Sequence, residues 1–114
     1  MRLEARKYLY DIQQAAALLA QFTAGKKFAD YAGDAMLRAA VERKFEIIGE
    51  ALAQLVKLDP GLATRISQHR SIIDFRNILI HGYADVDDRV VWDVLETKLP
   101  ALSREIDALL RYDD

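Results

Sequence analysis

The sequence predicts an all-α protein, an up-down bundle of four to five antiparallel helices. Three observations lead there. Apolar residues recur at spacings of three and four along most of the chain, the signature of one buried helix face. Only two prolines and five glycines occur in 114 residues, and most fall where the periodic pattern breaks. The breaks are short, which favours antiparallel neighbours in one bundle.

The first helix is expected over 3–23, with Ala5, Leu9, Ile12, Ala16, Leu19 and Phe22 on its apolar face. Gly25-Lys26-Lys27 ends it. Residues 28–33 read as a connection or a single helical turn, with Asp30 and Asp34 as candidate caps. The second long helix spans 34–58. Leu37, Val41, Phe45, Ile48, Leu52 and Leu55 form its stripe, and Ala40, Ile47, Ala51 and Leu58 widen it. A stripe that broad predicts two packing partners. Gly49 lies mid-helix, where glycine costs about 1 kcal/mol relative to alanine, so close approach of another helix is expected there, from the same bundle or a second subunit.

Asp59-Pro60 reads as an N-cap followed by a proline at the first helical position, opening a short helix to about residue 66. The third main helix is expected over 68–81. Ile72, Ile73, Phe75, Ile78, Leu79 and Ile80 surround most of its circumference, which predicts a central, largely buried helix. Gly82 is placed to end it as the C′ residue. Asp85-Val86-Asp87-Asp88 puts acid at the positive end of the next helix, which carries Val90, Val91, Val94 and Leu95. Pro100 interrupts the pattern near Leu99, and a last helix is expected over 101–111.

Composition narrows the function classes. The length suits a single domain over 1–114, and 52% hydrophobic residues suffice for a core. The absence of cysteine excludes disulfides and thiolate zinc sites, and two histidines are too few for most imidazole metal sites. Neither a metal nor another cofactor is expected. The amino terminus is charged and periodic, without the apolar core of a signal peptide, and the apolar run 15–20 is too short to cross a bilayer. A cytoplasmic protein with no membrane partner is the expectation. Net charge is −2, so nucleic acid would have to be held by a local cluster such as Arg65, Arg70 and Arg76 with Arg38, Arg43 and Lys44. The plain alternative for those cations is solvated helix faces.

Residues 76–83, Arg-Asn-Ile-Leu-Ile-His-Gly-Tyr, concentrate the chemistry. They combine a permanent cation, a group that titrates near neutrality and a phenol, the set that phosphodiester chemistry would use. Each has a structural alternative. Arg76 within an apolar helix can pair with Glu46 or Glu50. His81 can serve as a partner of the helix dipole. Tyr83 can pack beyond the helix end. Functionally, Arg76 would bind phosphate, and His81 would act as general acid or base with Asn77 one turn back to orient it. At about 100° per residue, Arg76 and His81 lie about 140° apart. Either the helix unwinds before His81, or two subunits build the site. His69 reads as a solvated or capping residue outside it.

The spacing Arg76-(four residues)-His81-Gly82-Tyr83 resembles the Arg-x4-His-x-Tyr motif of the HEPN superfamily, and more narrowly the HepT-like toxin ribonucleases. The resemblance covers roughly 3–110. It includes Asp34-Ala35, Ile47-Ile48-Gly49-Glu50-Ala51, Val90-Val91-Trp92 and Leu99-Pro100 in the family's order. Many relatives carry a Pro-Trp pair before the arginine-bearing helix, and residues 63–69 here do not. The resemblance implies a homodimer with the motif lining a cleft at the interface, and metal-independent cleavage of RNA. Arg76 and His81 would be catalytic and Asn77 supporting. It further implies a type VII-like toxin–antitoxin pair, in which a cognate minimal nucleotidyltransferase antitoxin transfers AMP to Tyr83. The alternative is a non-catalytic nucleotide-binding or partner-docking subunit of a nucleotidyltransferase.

Overall fold

The computed structural model describes residues 1–82 and 86–112; Tyr83 and Asp85 lie outside them. Among the described residues there are seven helices and no strand: α1 (Leu3–Thr23), α2 (Phe28–Ala32), α3 (Ala35–Leu58), α4 (Pro60–Ala63), α5 (His69–His81), α6 (Asp88–Thr97) and α7 (Leu99–Tyr112). Five are long, and α2 and α4 are single turns. The all-α bundle expected from the period is what forms.

Local chemistry sets the ends. Gly25 takes a left-handed φ of 72°, which turns the chain out of α1. The Asp34 carboxylate accepts from the Leu37 amide at 3.1 Å, and that of Asp59 accepts from Leu62 at 3.1 Å. Asp30 accepts from the Lys27 amide, and Asp87 from the Arg89 amide, each at 2.8 Å. α4 stops at Ala63, short of the expected 66, although Ile66 is fully buried. Pro100 does not interrupt the last helix. Leu99 begins α7, and a proline in the first turn lacks only an N–H that has no intrahelical acceptor there.

α3 is the central element. It packs on α1 along one side and on α5 along the other, the two partners its wide stripe predicts. Leu9, Ile12 and Leu19 of α1 meet Val41, Phe45, Ile48, Leu52 and Leu55 of α3 in one core, which Leu102 and Ile106 of α7 close. Phe45 meets Phe75 of α5 edge to face, with ring centroids 5.2 Å apart. α2 lies between α3 and α6, where Tyr31 packs on Trp92 at 5.5 Å and Arg89 lies over the Phe28 ring.

α5 is not central. Only Ile72, Phe75 and Leu79 are buried, whereas Ile78 is 54% and Ile80 43% exposed. The molecule measures 43 × 29 × 19 Å. Among the described residues α3 is the only helix packed extensively on α5, and the exposed Ile78 and Ile80 lie away from it. An apolar circumference without a covering layer is an edge helix with an unpartnered face.

Candidate active site

α5 carries Arg76, Asn77 and His81, and α3 fixes the first of them. Gly49 is buried at the crossing, and a Cβ there would stand 2.3 Å from the Arg76 Cβ and 2.6 Å from its Cγ. The mid-helix glycine is therefore the contact point of α5 on α3, within one chain. The Arg76 stem runs over this gap, and its Nη1 donates to Glu50 Oε2 at 3.0 Å. Of the two acids expected as partners, Glu50 is used; Glu46 instead pairs with Arg43 at 3.4 Å. The Arg76 side chain is only 17% exposed and its Nε is buried with no acceptor, while Glu50 is 55% exposed. The guanidinium is thus held in one place by a glycine gap and a carboxylate at the rim.

His81 is the last residue of α5 and is exposed, as is Asn77 one turn back. α5 remains helical through His81, and the Gly82 amide closes the last turn on the Ile78 carbonyl at 2.8 Å. Unwinding before His81, one of the two ways to bring it toward Arg76, does not occur. Gly82 does not adopt the left-handed conformation typical of a C′ glycine; its φ is −103°. It is needed for space, because a Cβ there would lie 2.8 Å from the Ile78 carbonyl oxygen. Within one subunit, then, Arg76 faces α3 and His81 faces solvent, and the structure does not bring them together. Tyr83 lies outside the described residues.

Arg70, Asp74, Asn77 and His81 follow at i, i+4, i+7 and i+11, so they form one polar stripe along the exposed side of α5. Ile80 borders it on one flank and Ile78 on the other. Near its N-terminal end, Ala53, Val56 and Lys57 of α3 and His69, Arg70, Ile73 and Asp74 of α5 enclose a groove of about 260 Å³.

At the far end of the connection after His81, a second polar corner ties α6 to α3. The Arg38 guanidinium donates to the Ala32 carbonyl and lies 3.9 Å from Asp88. Burial, with smaller contributions from Glu42 and Asp88, pushes the Tyr31 phenol well above its usual range. Burial, then Asp88 and Glu46, raises the Glu42 carboxyl, against a lowering by Arg38. Among the described residues no group of three or more His, Asp or Glu side chains is placed to hold a metal ion.

The sequence singled out Arg76, His81 and Asn77. It named Glu50 only as a structural partner and missed the groove. The signal for Glu50 is the Gly49-Glu50 dipeptide itself, a buried glycine beside an acid in the middle of an apolar stripe.

The fold is all-helical among the described residues, with Arg76 and His81 on α5, and comparison with known proteins gives the family. The model of the ribonuclease HepT-like family matches residues 12–109, and the chain belongs to that family. It is 34% identical over 109 residues to a Thermococcus cleftensis protein named as a probable ribonuclease HepT, covering 96% of this chain and 98% of the relative. It is 31% identical over 108 residues to a provisionally named RNase of Caldanaerobacter subterraneus, covering 95% and 96%. A provisionally named RNase of Methanocaldococcus jannaschii is 29% identical over 104 residues, covering 91% and 94%. No solved structure matches significantly.

Proposed function

We propose that this protein is a metal-independent endoribonuclease that works as a two-fold homodimer, the toxin of a type VII-like toxin–antitoxin pair. The observation that carries the reading is the division of labour on α5. Arg76 is pinned toward α3 by Glu50, while His81 and Asn77 stand on an uncovered face with exposed Ile78 and Ile80 beside them. With the helix regular through His81, pairing of two α5 helices is the route by which a guanidinium and an imidazole reach one phosphate.

In such a cleft the RNA 2′-hydroxyl attacks the adjacent phosphorus. His81 takes the hydroxyl proton, the O2′–P bond forms, and the P–O5′ bond breaks as the leaving oxygen takes a proton from water, while the imidazolium returns its own proton to solvent. Arg76 stabilises the charged phosphorane, and Asn77 orients the imidazole or the phosphate. The products are a 2′,3′-cyclic phosphate and a 5′-hydroxyl, and a 2′-deoxy residue at the cut blocks the reaction. The test is labelled RNA with wild type, Arg76→Ala and His81→Ala in EDTA. The proposal expects cleavage by wild type and loss of at least about 100-fold in each variant. Equal cleavage by all three would remove the assignment.

Control would act on Tyr83, two residues beyond His81 in sequence. AMP transferred there by a cognate minimal nucleotidyltransferase adds bulk and negative charge that repel an RNA phosphate. Co-expression with that partner is expected to raise the intact mass by one or more AMP units, and the shift should disappear in Tyr83→Phe. The Glu50 pairing favours a second reading, a docking subunit without catalysis, because it neutralises Arg76 in the free chain. Stable co-purification with the nucleotidyltransferase and no RNA cleavage would select it.

A further inference from the structure

We propose that the groove between α3 and α5 is a base-binding subsite for a nucleotide flanking the cleavage point on single-stranded RNA, selective for a base with an exocyclic amino group. This rests on the ribonuclease reading above and adds a source of sequence preference to it.

The groove has the parts a nucleotide requires. Ala53, Val56 and Ile73 give an aliphatic surface on which a flat base can lie, and Lys57 and Arg70 supply cations for its phosphate. His69 and Asp74 supply acceptors. His69 Nδ1 lies 2.8 Å from the Ile66 carbonyl oxygen. A carbonyl oxygen only accepts, so Nδ1 carries the proton and, in the neutral ring, Nε2 is an acceptor. An adenine, cytosine or guanine amino group can donate to Nε2 or to the Asp74 carboxylate. Uracil has no amino group to offer.

The placement fits the proposed chemistry. Arg70 and His81 share one stripe of α5, eleven residues or about 16 Å apart along the axis. A strand crossing His81 and running along the stripe past Asn77 and Asp74 reaches the groove within a few nucleotides. A chain of net charge −2 gains little from long-range attraction of RNA, so short-range contacts must hold the strand.

The experiment measures binding and cleavage separately. Fluorescence polarisation with octaribonucleotides carrying a 2′-deoxy residue at the cut reads affinity without turnover. Single A-to-U replacements along the octamer should reveal one flanking position where uracil weakens binding roughly tenfold. The K57Q/R70Q double variant should lower affinity by a similar factor, and the His69→Phe/Asp74→Leu double variant, which removes both acceptors, should erase the preference at that position. In cleavage assays with unmodified RNA, K57Q/R70Q should lose more with the octamer than with a dinucleotide, which is too short to span the stripe. Wild-type affinity and unchanged base preference in both variants would overturn the subsite. So would a change in self-association with RNA affinity intact, which would make the groove a protein interface. If wild type binds the octamer with this preference but cleaves no RNA, the nuclease reading fails and the subsite stands.

Discussion

Gly49 and Arg76 are a matched pair, and the match shows how a fold feature becomes a site feature. An alanine at Gly49 would push on the Arg76 Cβ and Cγ, which are close to the backbone and have little room to yield. Gly49→Ala is expected to cost about 1–3 kcal/mol in denaturant unfolding despite its better helix propensity, and to reduce cleavage by displacing the guanidinium. Glu50→Ala should leave stability nearly unchanged, because the carboxylate is more than half exposed, and should lower kcat more than it raises KM. Glu42 gives a pH signature. Its carboxyl pKa is raised in the fold by burial and by Asp88 and Glu46, with Tyr31 of α2 and Arg38 also facing it. The folded state therefore holds the proton more tightly than the unfolded chain. The stabilisation is present in acid, below the ordinary carboxylate value, and is lost as pH climbs through the raised folded value. Glu42→Gln should be more stable than wild type at neutral pH, with the difference shrinking in acid; the same difference at all pH values would contradict this. Arg76, Asn77 and His81 stand out as candidates in the sequence because their types and spacing are chemical. The ion pair with Glu50 was legible only as one of two options, since choosing between acids one turn apart needs the crossing point of two helices.

The long helices could be read because each repeats its apolar period several times; α1, α3 and α5 end within a residue of the expected limits. α2 and α4 are single turns, too short to show a period, and exist because neighbours hold them. Pro100 was misread because the same residue breaks a helix interior and suits a first turn, and only the structure says which turn it occupies. The larger miss was α5. Isoleucines around a whole circumference look the same whether a helix is central or lies at an edge awaiting a partner. Ile78 is solvent-exposed in the subunit, so Ile78→Asp should weaken self-association in sedimentation while leaving the unfolding midpoint almost unchanged at dilutions where wild type is also dissociated. A fall in thermal stability without a change in mass would mean that the face closes within the chain.

For the molecule as a whole, a helical bundle presents an edge helix on which Arg76 is held against α3 while His81 is exposed. The buried core runs through α1, α3 and α7 and takes in Ile72, Phe75 and Leu79 of α5, and the candidate site lies at its periphery. Under the proposed function such a subunit would be catalytically incomplete: the arginine it pins and the histidine it exposes would serve phosphates on opposite sides of a shared cleft. That claim has a direct test. Purified Arg76→Ala and His81→Ala proteins, each inactive, are mixed, allowed to exchange subunits and assayed on RNA. If arginine and histidine come from different chains, each mixed dimer regains one intact site, and activity should return to about a quarter of wild type at equal mixing. No recovery, with subunit exchange verified, would contradict a site shared between two chains.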